Sequence, residues 1–183
     1  MKVSGDRIFL ILTLSTALAG FAIFSSASLG LLARESGSLS RGILLQAGFG
    51  LGFGLLALFV ARAVPLVQVR RFAPHIYVAA ILFTLLVFVP GIGFHSGGAT
   101  RWISLGFTTV QPSEFLKIGF VLVLAWWLAP RARQLANPKH GLFPFIAIVA
   151  VPSAILLAQP NTSTTLLLVA TGSAMYFAAG APW

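Results

Sequence analysis

Gly93-Phe94-His95-Ser96-Gly97-Gly98-Ala99-Thr100-Arg101-Trp102-Ile103-Ser104-Leu105-Gly106-Phe107-Thr108-Thr109-Val110-Gln111-Pro112-Ser113-Glu114-Phe115-Leu116-Lys117 is the one conspicuously non-membrane stretch in a chain built of apolar runs. What flanks it decides the fold. Segments free of Lys, Arg, Asp and Glu run 8–33, 42–61, 72–100, 118–130 and 140–183, and a helix crosses roughly 30 Å of hydrocarbon with about 20 residues. The first three each hold one span. Segment 118–130 reaches spanning length if its helix begins near Pro112, with Lys117 close to the interface or in a polar cavity. Segment 140–183 holds two spans, because Gln159-Pro160-Asn161-Thr162-Ser163-Thr164-Thr165 is a polar, proline-containing break. Exposed to lipid it would be costly, so it reads as a turn or a protein-lined bend. The expected fold is all-α, a polytopic membrane helix bundle of six spans. No repeat or linker divides it, so residues 1–183 read as a single transmembrane domain with an outer segment at 94–116.

Composition supports this reading. Of the 183 residues 58% are hydrophobic and 8% charged, and the mean hydropathy of +0.97 lies outside the range of ordinary soluble domains. Twelve Lys and Arg against three Asp and Glu give a formal charge of +9. In a soluble chain that excess suggests a polyanionic partner; here it orients the spans, and no nucleic acid is expected. Lys2, Arg7, Arg62, Arg70, Arg71, Arg131, Arg133 and Lys139 fall on one side, and Arg34, Arg41, Arg101 and Lys117 on the other. The richer side is cytoplasmic by the positive-inside rule, which puts both ends inside and turns 34–41, 94–116 and the 159–165 break outward. The first apolar stretch exceeds a signal-peptide core of about 7–15 residues, so it reads as an uncleaved span.

Several chemistries are excluded. There are no cysteines, hence no disulfide, thiolate nucleophile or Cys-ligated metal. His75, His95 and His140 are too scattered for a metal site, and there is no phosphate-cradling glycine loop, nucleophile elbow or zinc motif. No cofactor is identifiable, and a divalent metal is neither required nor excluded by the residues. The carboxylates are Asp6, Glu35 and Glu114, so an outer-face reaction has only Glu35 and Glu114 to draw on and a paired-carboxylate mechanism is disfavoured. Gly48, Gly50, Gly52 and Gly54 give overlapping small-xxx-small pairs that suit close helix packing.

Within the outer segment, Trp102, Ile103, Leu105 and Phe107 beside Arg101 suit the headgroup layer. Pro112 suits a first helical position, which puts Glu114 third, within reach of the capping backbone N–H or of Lys117 one turn on. Lys117 near a helix start and at membrane depth opposes the helix dipole unless it is paired or lines a wet cavity. Gln111, Glu114 and Lys117 share one helical face and read as cavity-lining.

Gly98-Ala99-Thr100-Arg101-Trp102-Ile103-Ser104-Leu105-Gly106 followed by Gln111-Pro112-Ser113-Glu114-Phe115-Leu116-Lys117 resembles the signature of the SEDS family, the FtsW/RodA/SpoVE proteins of bacterial cell-wall synthesis. Phe24-Ser25-Ser26-Ala27-Ser28 and Gln46 resemble the family's start, and Gln159-Pro160-Asn161-Thr162-Ser163-Thr164 stands where the family has Gln-Pro-Asp-x-Gly-Thr. Asn161 and Ser163 depart from that motif, replacing a titratable group and a flexible backbone point. The resemblance implies a fold of roughly ten spans in the bacterial cytoplasmic membrane. It also implies a peptidoglycan glycosyltransferase that polymerises lipid II, the undecaprenyl-pyrophosphate-linked disaccharide peptide, with a class B penicillin-binding protein and other division proteins as partners. By resemblance Arg101, Gln111, Ser113, Glu114 and Lys117 line the substrate cavity, with Gln159, Pro160, Asn161 and Thr164 as a secondary motif. The resemblance further implies that the family's essential Asp lies in a large outer loop after the seventh span, whereas six spans are read in this sequence. The chain is therefore expected to be the N-terminal portion of such a protein, with no catalytic residue of its own, and its wording leans towards the division protein FtsW. Competing readings are a lipid-linked precursor transporter, suggested by the polar break, and a non-catalytic membrane scaffold that binds a partner helix through the Gly48–Gly54 face.

Overall fold

The computed structural model describes residues 4–32, 48, 50, 52–96, 98–106 and 109–181. Gln46, Arg34, Glu35, Arg41 and Phe107 lie outside them. Among the described residues the chain is a helical membrane protein, and three helical stretches, Arg7–Ser26, Leu66–Phe88 and Pro138–Ala158, are long and apolar enough to cross a bilayer. It divides into two compact units, Met1–Val64 and Pro65–Trp183.

The first unit holds α1 (Ser4–Leu32) and α2 (Phe53–Ala63). Along α1, hydroxyls that would otherwise meet lipid bond back to the preceding turn: Thr13 donates to the Phe9 carbonyl, Thr16 to Leu12 and Ser25 to Phe21, each at 2.8 Å. Of the four glycines read as a packing face, Gly54 lies in α2, while Gly48, Gly50 and Gly52 lead into it in wider, π-type turns.

The second unit comprises α3 (Leu66–Leu85), a small antiparallel sheet, α4 (Pro112–Leu128), α5 (Phe143–Ala158) and α6 (Thr162–Ala178). The helix beginning at Pro112 and the interruption of the last apolar run at residues 159–161 are as the sequence predicts. The all-α expectation needs one addition: the outer segment folds into strands β1 (Gly93–Ser96), β2 (Ala99–Ser104) and β3 (Thr109–Val110), in that order. Glycine makes its turns, with Gly98 at φ 78° between β1 and β2 and Gly106 at φ 84° after β2. At Gly93 a side chain would run into the Val87 carbonyl and the Thr100 methyl, so the sheet can seat directly on the end of α3.

Helix α4 is the core of this unit. Leu116, Phe120, Val123, Leu124, Trp127 and Leu128 recur at helical spacing on its buried side, and Leu116, Phe120 and Leu124 are fully enclosed. Glycines set the closest approaches. A Cβ on Gly119 would lie 3.2 Å from the Tyr77 Cα of α3, and one on Gly172 of α6 would lie 2.9 Å from the Phe120 ring.

A hydrogen bond ties α3 to α5 where proline disturbs the latter. Pro152 lies inside α5 and has no N–H to give, which frees the carbonyl four residues earlier, that of Ile148. The Tyr77 hydroxyl of α3 donates to that carbonyl at 2.6 Å. Tyr77→Phe leaves it unpaired in a dry interior and is expected to lower stability by about 1–2 kcal/mol. Detergent-unfolding midpoints of the full-length protein check this, and an unchanged midpoint would show that the carbonyl finds another donor.

Candidate functional site

Strands β1 and β2 pair Gly93 with Ile103 and Phe94 with Trp102, then His95 with Thr100 and Ser96 with Ala99. Between the second and third pairs the register slips, which leaves Arg101 as the extra residue of a β-bulge. A bulge bends its strand and re-aims the side chain it carries. Here it directs Arg101 onto the turn between α5 and α6, where Nε donates to the Gln159 carbonyl at 3.4 Å and Nη2 to the Pro160 carbonyl. These carbonyls stand at the C-terminal end of α5, where unpaired acceptors and the helix dipole both favour a cation.

Beneath Arg101 the polar residues of the turn are buried and spoken for. Gln159 is 2% exposed and donates through Nε2 to the Thr84 carbonyl of α3 at 2.9 Å. Asn161 is 3% exposed, and its Nδ2 faces the Ser113 hydroxyl of α4 at 3.5 Å. Its carbonyl accepts from the Thr165 hydroxyl at 2.9 Å and from the Thr165 N–H at 3.1 Å, starting α6. Thr164 is half-buried beside them. The 159–161 turn is therefore protein-lined, as polar backbone at membrane depth requires.

Strand β3 runs directly into α4, whose preceding residue Gln111 is extended and accepts from the Glu114 N–H at 3.1 Å. Gln111 makes no side-chain cap bond. Glu114 turns towards Lys117 instead of back to the cap, with Oε2 2.8 Å from Nζ. That geometry resolves the difficulty of a lysine near a helix start, since the carboxylate offsets both the dipole and the charge. The pair stays accessible, at 56% exposure for Glu114 and 30% for Lys117.

The two motifs singled out in the sequence thus meet at one end of the second unit. Ser113 and Asn161 touch, Arg101 grips the Gln159-Pro160 turn, and Glu114 and Lys117 pair on the outer side of the same helix start. The members differ in reach: Ser113, Gln159 and Asn161 are enclosed and shape the turn, whereas Glu114, Lys117 and the rest of the Arg101 guanidinium face outward. Thr84 was not singled out from the sequence, though it is a lone hydroxyl in the apolar run Ile81-Leu82-Phe83-Thr84-Leu85-Leu86. Its hydroxyl does not make the contact, however: it donates to the Ala80 carbonyl one turn back at 2.7 Å, and Gln159 takes the Thr84 backbone carbonyl. Among the described residues no group of three or more His, Asp or Glu side chains gathers in the arrangement a metal needs.

Comparison with known proteins gives one consistent answer. The family model for FtsW, RodA and SpoVE, described as cell cycle protein, matches residues 6–183. A probable peptidoglycan glycosyltransferase FtsW of Alcanivorax borkumensis is 33% identical over 182 residues, covering 97% of this chain and 46% of that protein. Stage V sporulation protein E of Bacillus subtilis is 30% identical over 183 residues, covering 98% and 49% respectively. Among solved structures, a chain described under structural coordination of polymerization and crosslinking by a peptidoglycan synthase complex superposes with a TM-score of 0.75 at 27% identity, covering 94% of this chain and 48% of that one. The rod shape determining protein RodA of Thermus thermophilus superposes at 0.71 and 26% identity, covering 93% and 54%. The chain spans about half the length of the relatives it matches.

Proposed function

Because this chain belongs to the FtsW/RodA/SpoVE family of cell cycle proteins, we propose that this protein takes part in polymerising lipid II into glycan strands at the outer face of the bacterial cytoplasmic membrane, together with a class B penicillin-binding protein. Relatives carrying the name peptidoglycan glycosyltransferase, and a structural neighbour from a peptidoglycan synthase complex, support that reading. The observation that carries it is the outward-facing set of Arg101, Glu114 and Lys117, mounted on a rigid buried base of Ser113, Gln159 and Asn161.

The set fits a diphosphate-linked sugar. A guanidinium anchored through Nε and Nη2 keeps other N–H groups for a phosphate oxygen, and a lysine supplies a second positive charge. Glu114 holds the ammonium in one place, so that the charge which develops on a departing pyrophosphate meets cations already positioned for it. The resemblance puts the family's acidic catalytic residue elsewhere, so these residues bind and orient and do not take the proton.

In the full-length protein Glu114→Ala and Lys117→Ala are each expected to lower glycan polymerisation from labelled lipid II by roughly 10²-fold while leaving the helical circular-dichroism signal intact. Unchanged polymer yield from both variants would remove these residues from the site.

A further inference from the structure

At the opposite end of the second unit lies a cavity of about 280 Å³ between the beginning of α3 and the end of α4. The two helices are antiparallel, and 20 residues of α3 at about 1.5 Å each place this cavity some 30 Å from the sheet. Leu66, Val69 and Ala73 of α3 and Leu122, Ala125 and Trp126 of α4 wall it, so its lining is almost wholly apolar. Its one charged lining residue is Arg70, which is exposed. Glu114, the carboxylate carried by these two helices, pairs with Lys117 at the other end of α4, away from Arg70. Arg71 follows on α3, and Arg131 and Lys139 flank the same end.

We propose that this cavity binds an anionic phospholipid of the cytoplasmic leaflet, with an acyl chain along the apolar wall and the headgroup phosphate on Arg70. Each half of the site points to that occupant. An apolar slot between two spanning helices is filled by hydrocarbon, and a basic residue at its mouth with basic neighbours selects a negative headgroup over a zwitterionic one. Trp126, half-buried in the cavity wall, is the residue type that sits where acyl chain gives way to headgroup. A soluble anion would gain the charge but nothing from the slot, and a neutral lipid the slot but not the charge. This inference is independent of the reaction proposed above, since it rests on the other end of the molecule.

The test is photolabelling of the full-length protein in zwitterionic detergent with a phosphatidylglycerol carrying a diazirine on one acyl chain, the adducts being mapped by peptide mass spectrometry. Adducts are expected to concentrate in the peptides spanning 66–73 and 122–129. Unlabelled phosphatidylglycerol should compete at about fivefold lower concentration than phosphatidylcholine with the same chains. Arg70→Gln should abolish that difference, and Ala125→Phe, at an exposed position, should lower labelling by filling the slot. Adducts spread evenly over the helices, equal competition by the two lipids, competition by glycerol phosphate alone, or labelling unchanged in both variants would each overturn the proposal.

Discussion

Arg101→Ala should accelerate amide hydrogen exchange in residues 99–104 and 159–161 of the full-length protein by about 30-fold, with little change in the interior of α4. The expectation follows from what Arg101 holds. Its guanidinium bonds two carbonyls at the end of α5, and these are the direct ties observed between the outer sheet and the α5–α6 turn. A hydrogen bond to a charged group contributes about 1.5–3 kcal/mol, reduced here because the guanidinium is partly exposed, so a local loss of about 2 kcal/mol is reasonable. Local opening free energies convert directly into exchange rates. Arg101→Lys should rescue poorly, because an ammonium is a single point and cannot span two carbonyls as the fork does. Exchange in these segments equal to that of the unaltered protein would mean the sheet is held by its seat on Val87 instead.

The second large effect concerns Phe120 and Gly172, which should behave as one packing unit. Phe120 is fully buried, and its ring fills the space a side chain on Gly172 would need. Phe120→Ala is expected to destabilise by about 2–4 kcal/mol. That lies below the upper end for a soluble core, since in lipid the lost transfer term is small and mainly the cavity remains. Gly172→Leu should also destabilise, because the new side chain meets the ring and the Val149 methyl and forces α6 away from α4. The double variant should recover at least about 1 kcal/mol relative to the sum, as the leucine enters the space the ring vacated. Additive losses in detergent-unfolding experiments would show that the two helices do not share this contact.

Much of this was legible in the sequence, for a simple reason. Polar residues in a lipid-facing chain are rare enough that each one needs an explanation, so Gln111–Lys117 and Gln159–Thr165 stood out, and they meet in space. Pro112 announced the start of α4 and the structure begins the helix there. The sheet was not legible: Thr100-Arg101-Trp102-Ile103-Ser104 is a short alternation that also fits an interfacial anchor, and only pairing with β1 and β3 settles it. Nor was the direction of Glu114, because a carboxylate at the third helical position can reach back to the cap or forward to a lysine, and the choice depends on where the lysine lies. The pairing of Gln159 with the Thr84 carbonyl joins residues 75 apart, and no local pattern encodes it.

The bulge at Arg101 makes strand length itself carry information. Remove one residue from β2 and the hairpin could pair without interruption, giving a more regular sheet, yet the side chain at that position would swing to the other face and leave the α5–α6 turn unheld. Regularity and purpose pull in opposite directions at this point of the chain. Drift by substitution can therefore be absorbed in Ala99–Ser104, whereas a one-residue gain or loss there changes which way the strand points its cation.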